Sequence, residues 1–264
     1  MAFFQCDHRA RSLGNLVGGR VAGGRMTHFN VILPEKCTDD IPVVFLLHGM
    51  NNDETSWMRF TNVERYATEQ GMAIVMPNGA KSFYCDMKYG DRYAAYIGEE
   101  LVEYVRRVFP VSKKREKTFI AGFSMGGYGA AKLALANSRT FGACAAMSGP
   151  LDIVGRLSGY ERNGSAVAVW GEDYLSALSG SGDDTLELVR RLERSGEPKP
   201  WIFQGCGSDD PLVYISNQVF REFMRGRDFV HEYKEVPGGH DWEVMDRLVE
   251  EALNFFHRYM EQQA

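Results

Sequence analysis

The chain has 264 residues, is 44% hydrophobic and 25% charged, and carries a formal net charge of −5. A chain of that length can bury a core without covalent staples, and its charge balance argues against a nucleic-acid-binding face. The densest basic group, Lys113, Lys114, Arg115 and Lys117, precedes an apolar run and reads as a solvated turn.

The first nine residues, Met1-Ala-Phe-Phe-Gln-Cys-Asp-His-Arg9, show neither a long apolar core nor a small-residue cleavage pattern, so no signal peptide is expected. Residues 14–25 are glycine-rich but lack both G-x-x-x-x-G-K-[ST] and a strand-to-helix setting. A flexible hairpin loop is expected there, not a phosphate loop. From about residue 26 short apolar runs alternate with helical patterns. Strands are predicted at Thr27–Leu33 and Pro42–His48, an amphipathic helix at Thr61–Gln70, and a strand at Met72–Met76. Ile97, Leu101, Tyr104, Val105 and Val108 form one stripe of a helix over Tyr93–Phe109, which Pro110 stops. Further strands follow at Thr118–Phe123, Gly142–Met147, Pro200–Gly205 and Val230–Val236, with a helix at Thr185–Arg194 and a closing helix from Asp241 to about Tyr259.

This alternation predicts an α/β protein, a mostly parallel sheet with helices on both faces, in a single domain over 1–264. Residues 150–198 break the rhythm with seven glycines and are expected to form a small cap insertion. No stretch is long and apolar enough for a membrane span. Five cysteines, at 6, 37, 85, 144 and 206, are odd in number and widely spaced, which suggests a reducing, cytoplasmic setting.

Chemistry concentrates in three places. Gly122-Phe-Ser-Met-Gly126 is a G-x-S-x-G following an apolar strand and opening a small-residue helix, the setting of a nucleophile elbow. A serine hydroxyl needs a base, and His240, in the loop between the last strand and last helix, stands where that fold places one. His231 and His257 lie inside elements and read as structural. The acid that orients the imidazole should follow the strand Pro200–Gly205, where Asp209 and Asp210 are both eligible; either could instead cap a helix starting near Pro211. The oxyanion needs two backbone N–H donors, assigned to Met125, after the serine, and Met50, in the turn after the strand ending at His48 and Gly49. His48 is expected to support that turn. Trp57, Phe83 and Trp242, with Tyr84, are candidates for the substrate pocket. No metal-ligand spacing is present, so neither a metal nor another cofactor is expected.

Together Phe29-Asn-Val-Ile-Leu-Pro34, Leu46-Leu-His-Gly-Met50, Thr61-Asn-Val-Glu-Arg65, Gly122-Phe-Ser-Met-Gly-Gly-Tyr-Gly129, Cys206-Gly-Ser-Asp-Asp-Pro-Leu212 and Gly239-His-Asp-Trp242 resemble the esterase D-like family of α/β-hydrolases, in its tributyrin and feruloyl (cinnamoyl) esterase branch. The resemblance implies the α/β-hydrolase fold and puts the acid on Asp210. It implies a triad of Ser124, Asp210 and His240, with Met50 and Met125 as the oxyanion hole. The implied activity is serine carboxylesterase action on short-chain acyl or hydroxycinnamoyl esters. A thioesterase like S-formylglutathione hydrolase, an acyltransferase and a non-catalytic binding protein are the rival readings. The expected partner is a small-molecule ester, with no nucleic acid and no membrane; a homo-oligomer is compatible with the sequence. Pro211, where such proteins often carry an aromatic residue, and the glycine-rich 14–25 run depart from the family pattern.

Overall fold

A computed structural model describes residues 1–263 except 15, 18, 19, 22 and 36–38, with only the backbone of 16, 17, 20 and 21; Cys37 thus lies outside the described residues. The strands are β1 (Ala2–Ala10), β2 (Leu16–Val17), β3 (Arg20–Val21), β4 (Arg25–Leu33), β5 (Val43–Leu47), β6 (Ala73–Pro77), β7 (Thr118–Phe123), β8 (Ala143–Met147), β9 (Trp201–Gly207) and β10 (His231–Val236). Eight of them form one sheet in the order β1-β4-β6-β5-β7-β8-β9-β10. Strand β4 is antiparallel to both β1 and β6, and the remaining pairs are parallel.

Strands β5, β6, β7 and β8 are buried at every residue, as parallel strands covered on both faces must be. Their side chains alternate between two layers: Val43, Phe45 and Leu47 enter one core, Val44 and Leu46 the other. The helices are α1 (Ser56–Phe60), α2 (Val63–Glu69), α3 (Tyr93–Ala95), α4 (Leu101–Val108), α5 (Met125–Ala136), α6 (Ile153–Ser158), α7 (Gly164–Trp170), α8 (Tyr174–Leu178), α9 (Thr185–Ser195), α10 (Tyr214–Met224) and α11 (Trp242–Gln263). Helices α1, α2 and α11 cover one face, while α4, α5 and the α6–α9 segment share the core of the other.

The predicted strands from residue 27 onward are all present, within two residues at each end. Three differences have physical causes. Strand β1 has no sequence counterpart because it is an edge strand. Phe3 and Phe4 are both exposed, and the alternate inward positions, Cys6, His8 and Ala10, carry no large apolar side chain, so the residues show no hydrophobic alternation to read. The single helix expected over Tyr93–Phe109 is interrupted by a π-helical turn at Tyr96–Glu100. There the Glu100 carboxylate accepts the backbone N–H groups of Arg11 and Ser12, each at 2.7 Å, tying the chain after β1 to this helix. The helix expected near Pro211 begins at Tyr214. Within the glycine-rich run, β2 and β3 pair antiparallel as a small hairpin. Among the described residues no helix is long and apolar enough to cross a membrane.

Candidate active site

The parallel strands all point their C-terminal ends the same way, so the turns that leave them meet over one edge of the sheet. Ser124 sits in the turn from β7 into α5 with φ 56° and ψ −117°, a conformation that costs a non-glycine residue free energy. Its N–H donates to Met147 O (2.9 Å) and its carbonyl accepts from Tyr128 N (3.1 Å), which over-determines the turn. A side chain at Gly126 would press into the carbonyls of Leu47 and His48, so only glycine lets α5 start this close to β5.

Asp210 follows β9 and His240 follows β10. Ser208 N donates to Val236 O (2.8 Å) and Asp209 N to Gly238 O (2.9 Å), lacing the two turns together. Asp241 holds the second turn, accepting Val244 N–H at 2.9 Å and Gly239 N–H at 3.2 Å. Asp210 Oδ2 lies 2.7 Å from His240 Nδ1, and His240 Nε2 lies 2.8 Å from Ser124 Oγ. Because an ionised carboxylate only accepts, Nδ1 carries the imidazole proton and Nε2 is left to accept from the serine hydroxyl. The Asp210 side chain is fully buried. Burial alone would raise its carboxyl, but hydrogen bonds from His240, Leu212 N–H and Val213 N–H outweigh this and hold it below the usual carboxylate value. The sequence left two separate tasks for Asp209 and Asp210, acid and cap. Asp210 makes the contacts of both: Oδ1 closes the turn ahead of α10 while Oδ2 faces the imidazole. Asp209 instead accepts from Ser208 Oγ.

The backbone N–H groups of Met50 and Met125 have no acceptor among the described residues, and both residues line the cavity into which Ser124 opens. His48 braces the turn that carries Met50. Its Nε2 accepts Gly79 N–H (2.9 Å), Nδ1–H donates to Gly49 O (2.7 Å), and Tyr84 OH donates to His48 O (2.8 Å). Burial lowers its pKa, so it stays neutral and serves as a strut. His231, whose ring contacts Gln204 Oε1 at 2.9 Å, has its pKa pushed down to about 4 by burial.

Residues 21–255 match the family model described as "Putative esterase". The chain belongs to that family. An acetyl esterase of Caldicellulosiruptor saccharolyticus is 32% identical, over 84% of this chain and 85% of its own length. FphF, a fluorophosphonate-binding serine hydrolase of Staphylococcus aureus, is 31% identical and superposes with a TM-score of 0.85 over 97% of this chain and 98% of its own. An S-formylglutathione hydrolase of the same organism is also 31% identical, with a TM-score of 0.83 over the same shares. The fold is therefore the α/β-hydrolase fold, and this chain is a carboxylic ester hydrolase of the esterase family.

In this esterase the cavity at Ser124 measures about 170 Å³ and is mostly apolar, with Phe83, Ile153, Leu157 and Leu212 among its walls. Of the four aromatic residues expected there, only Phe83 lines it. Trp57 is 1% exposed and donates its indole N–H to Leu47 O (3.0 Å). Trp242 packs against Phe123, Trp57 and Phe60, at 5.1–5.3 Å between ring centroids, behind His240. Tyr84 is wholly buried. Trp57 and Tyr84 support the site from within the core, where a large apolar surface gains most, and the partly buried Trp242 packs against it.

The other cavity walls come from α6 and the residues around it, where no motif stands. That segment is held to the body by a buried cluster absent from the sequence reading. Lys132, on α5, reaches Asp183 Oδ1 (2.9 Å) and Cys85 Sγ (3.2 Å), and Trp170 Nε1–H donates to Asp183 Oδ2 (2.8 Å). Burial would raise the Asp183 carboxyl, but Lys132 outweighs it and keeps the group below its ordinary value. Trp170 in turn packs on Phe83, with centroids 5.3 Å apart. A lysine inside the small-residue run Ala130-Ala-Lys-Leu133 was the one available signal.

Proposed function

We propose that this esterase is a serine carboxylesterase that cleaves short-chain acyl or hydroxycinnamoyl esters by transfer of the acyl group to Ser124. The observation that carries the reading is the unbroken hydrogen-bonded path from Ser124 Oγ through His240 to the buried Asp210. Ser124 Oγ attacks the ester carbonyl as its proton passes to His240 Nε2, and Asp210 keeps Nδ1 protonated and stabilises the imidazolium. The Met50 and Met125 N–H groups stabilise the charge on the carbonyl oxygen. His240 then gives the proton to the leaving alcohol oxygen, the acyl group stays on Ser124, and a water deprotonated by the same imidazole releases the acid.

The cavity of about 170 Å³ is small beside ligand pockets of roughly 300–1,000 Å³, which favours short or flat acyl groups. Residues 150–198 act as the cap of a single domain and bound the acyl side. Four described cysteines without disulfides support a cytoplasmic setting.

Replacing Ser124 by Ala should lower turnover of p-nitrophenyl acetate by on the order of 10⁵ to 10⁶; a variant that keeps the wild-type rate sinks the assignment. A thioesterase reading has its own support in the likeness to an S-formylglutathione hydrolase. Relative kcat/KM on S-formylglutathione, acetate esters and ferulate esters separates the two.

A further inference from the structure

Resting on the esterase reading above, we propose that Arg156 selects acyl groups that end in a carboxylate, so that hemi-esters of short dicarboxylic acids are preferred over neutral esters of similar length. The argument begins with which side of Ser124 the cavity occupies. A leaving alcohol must lie where His240 Nε2 can protonate it. The cavity is lined by Ser124, Met50 and Met125, the nucleophile and its two donors, and not by His240. It is therefore the acyl side.

Its walls are apolar apart from a few groups supplied by α6 and the turn after it. Arg156 is the one cation among the described lining residues, and it is half-buried. It also borders an outer groove of about 530 Å³, as does Leu212, so Arg156 stands where the cavity meets that groove. Among the described residues it has no carboxylate partner; its contact is the ring of Tyr160, 4.6 Å from the centroid. Stacking holds the guanidinium plane while leaving its N–H edge free. Asp152 stands one helical turn before Arg156 and borders the same groove but makes no ion pair with it; its Oδ1 accepts Gly155 N–H at 3.0 Å.

Asn163 lines the same cavity. Its Oδ1 accepts Ala166 N–H (3.0 Å), which fixes the amide orientation and leaves the NH₂ group without an acceptor among the described residues. Two side chains thus offer donors with no acceptor among the described residues to meet them. A carboxylate supplies two acceptor oxygens and a charge opposite to that of Arg156, and an aliphatic chain suits the wall of Ile153 and Leu157.

The test compares kcat/KM, by pH-stat, for methyl butyrate and for the monomethyl esters of succinate, glutarate and adipate. Wild-type enzyme should prefer at least one hemi-ester to methyl butyrate. R156Q should lower the ratio of that hemi-ester to methyl butyrate by about tenfold or more, the loss of a hydrogen bond to a charged group, and R156K should fall between. Should R156Q fail to fold, rising salt should lower the same ratio in the wild type. No hemi-ester preference, or a ratio unmoved by R156Q, overturns the proposal while methyl butyrate turnover, and its loss in S124A, leaves the esterase reading standing. If neither ester is hydrolysed, both fall.

Discussion

On one side of Ser124 the functional groups stand on tight turns at the ends of β5, β7, β9 and β10, joined to one another by backbone hydrogen bonds and by glycines that no other residue could replace. A side chain at Gly207 would run into the carbonyls of Gly238 and Gly239, so the approach of the acid turn to the histidine turn is set by main chain alone. On the other side the walls hang from α6 and its neighbours, which two backbone bonds, Lys88 N to Val169 O (2.7 Å) and Tyr89 N to Ala168 O (3.1 Å), join to the body and which side chains do most to fasten: Lys132 to Asp183, Asp183 to Trp170, Trp170 onto Phe83. The contrast separates the proposed chemistry from the proposed selectivity. Backbone-locked geometry resists change, whereas a wall held by side chains can be reshaped without moving Ser124, His240 or Asp210.

That separation can be broken in graded ways. Asp210→Asn should cost the most, lowering kcat for p-nitrophenyl acetate by on the order of 10³ to 10⁴, because an amide N–H cannot accept from Nδ1–H and the imidazole loses its tautomer. Ester selectivity should stay as it was; a wholesale change in selectivity would mean that the two sides are coupled. Lys132→Met should destabilise the fold by about 2 kcal/mol in urea titrations by leaving the half-buried Asp183 without its charged partner. Its kinetic effect should fall on KM and acyl preference, through Trp170 and Phe83, more than on kcat; the opposite split would contradict the comparison.

His231 lies at neither wall and serves as a control. Its folded pKa of about 4 is below the ordinary 6.5, so below pH 6.5 the unfolded chain binds a proton that the folded chain refuses. The stability it contributes is complete above that value and is lost as pH falls toward 4, by at most about 3 kcal/mol. His231→Gln should flatten that acid limb in denaturant melts. The smallest effect is expected at Asp184, whose Oδ1 accepts Leu186 and Glu187 N–H at the start of α9 and whose Oδ2 accepts Gly180 N–H. Asp184→Ala should cost about 1–2 kcal/mol, with little change in kcat.

Local patterns determined a good deal by themselves. The alternation of buried strands with amphipathic helices dictated the parallel sheet, and the glycine spacing around Ser124 dictated the elbow, because both are short-range steric and burial constraints written into consecutive residues. Chain order then pointed to His240 and to the Asp209–Asp210 pair. Only the tertiary structure decided that one aspartate serves both the imidazole and its own turn, that Trp57 and Trp242 lie behind the site, and that Lys132 and Asp183, distant in sequence, meet in the interior. It also decided that Arg156, without a carboxylate partner among the described residues, lines the cavity into which Ser124 opens. Such pairings depend on where separate elements come to rest against each other, and no neighbouring residue records that distance.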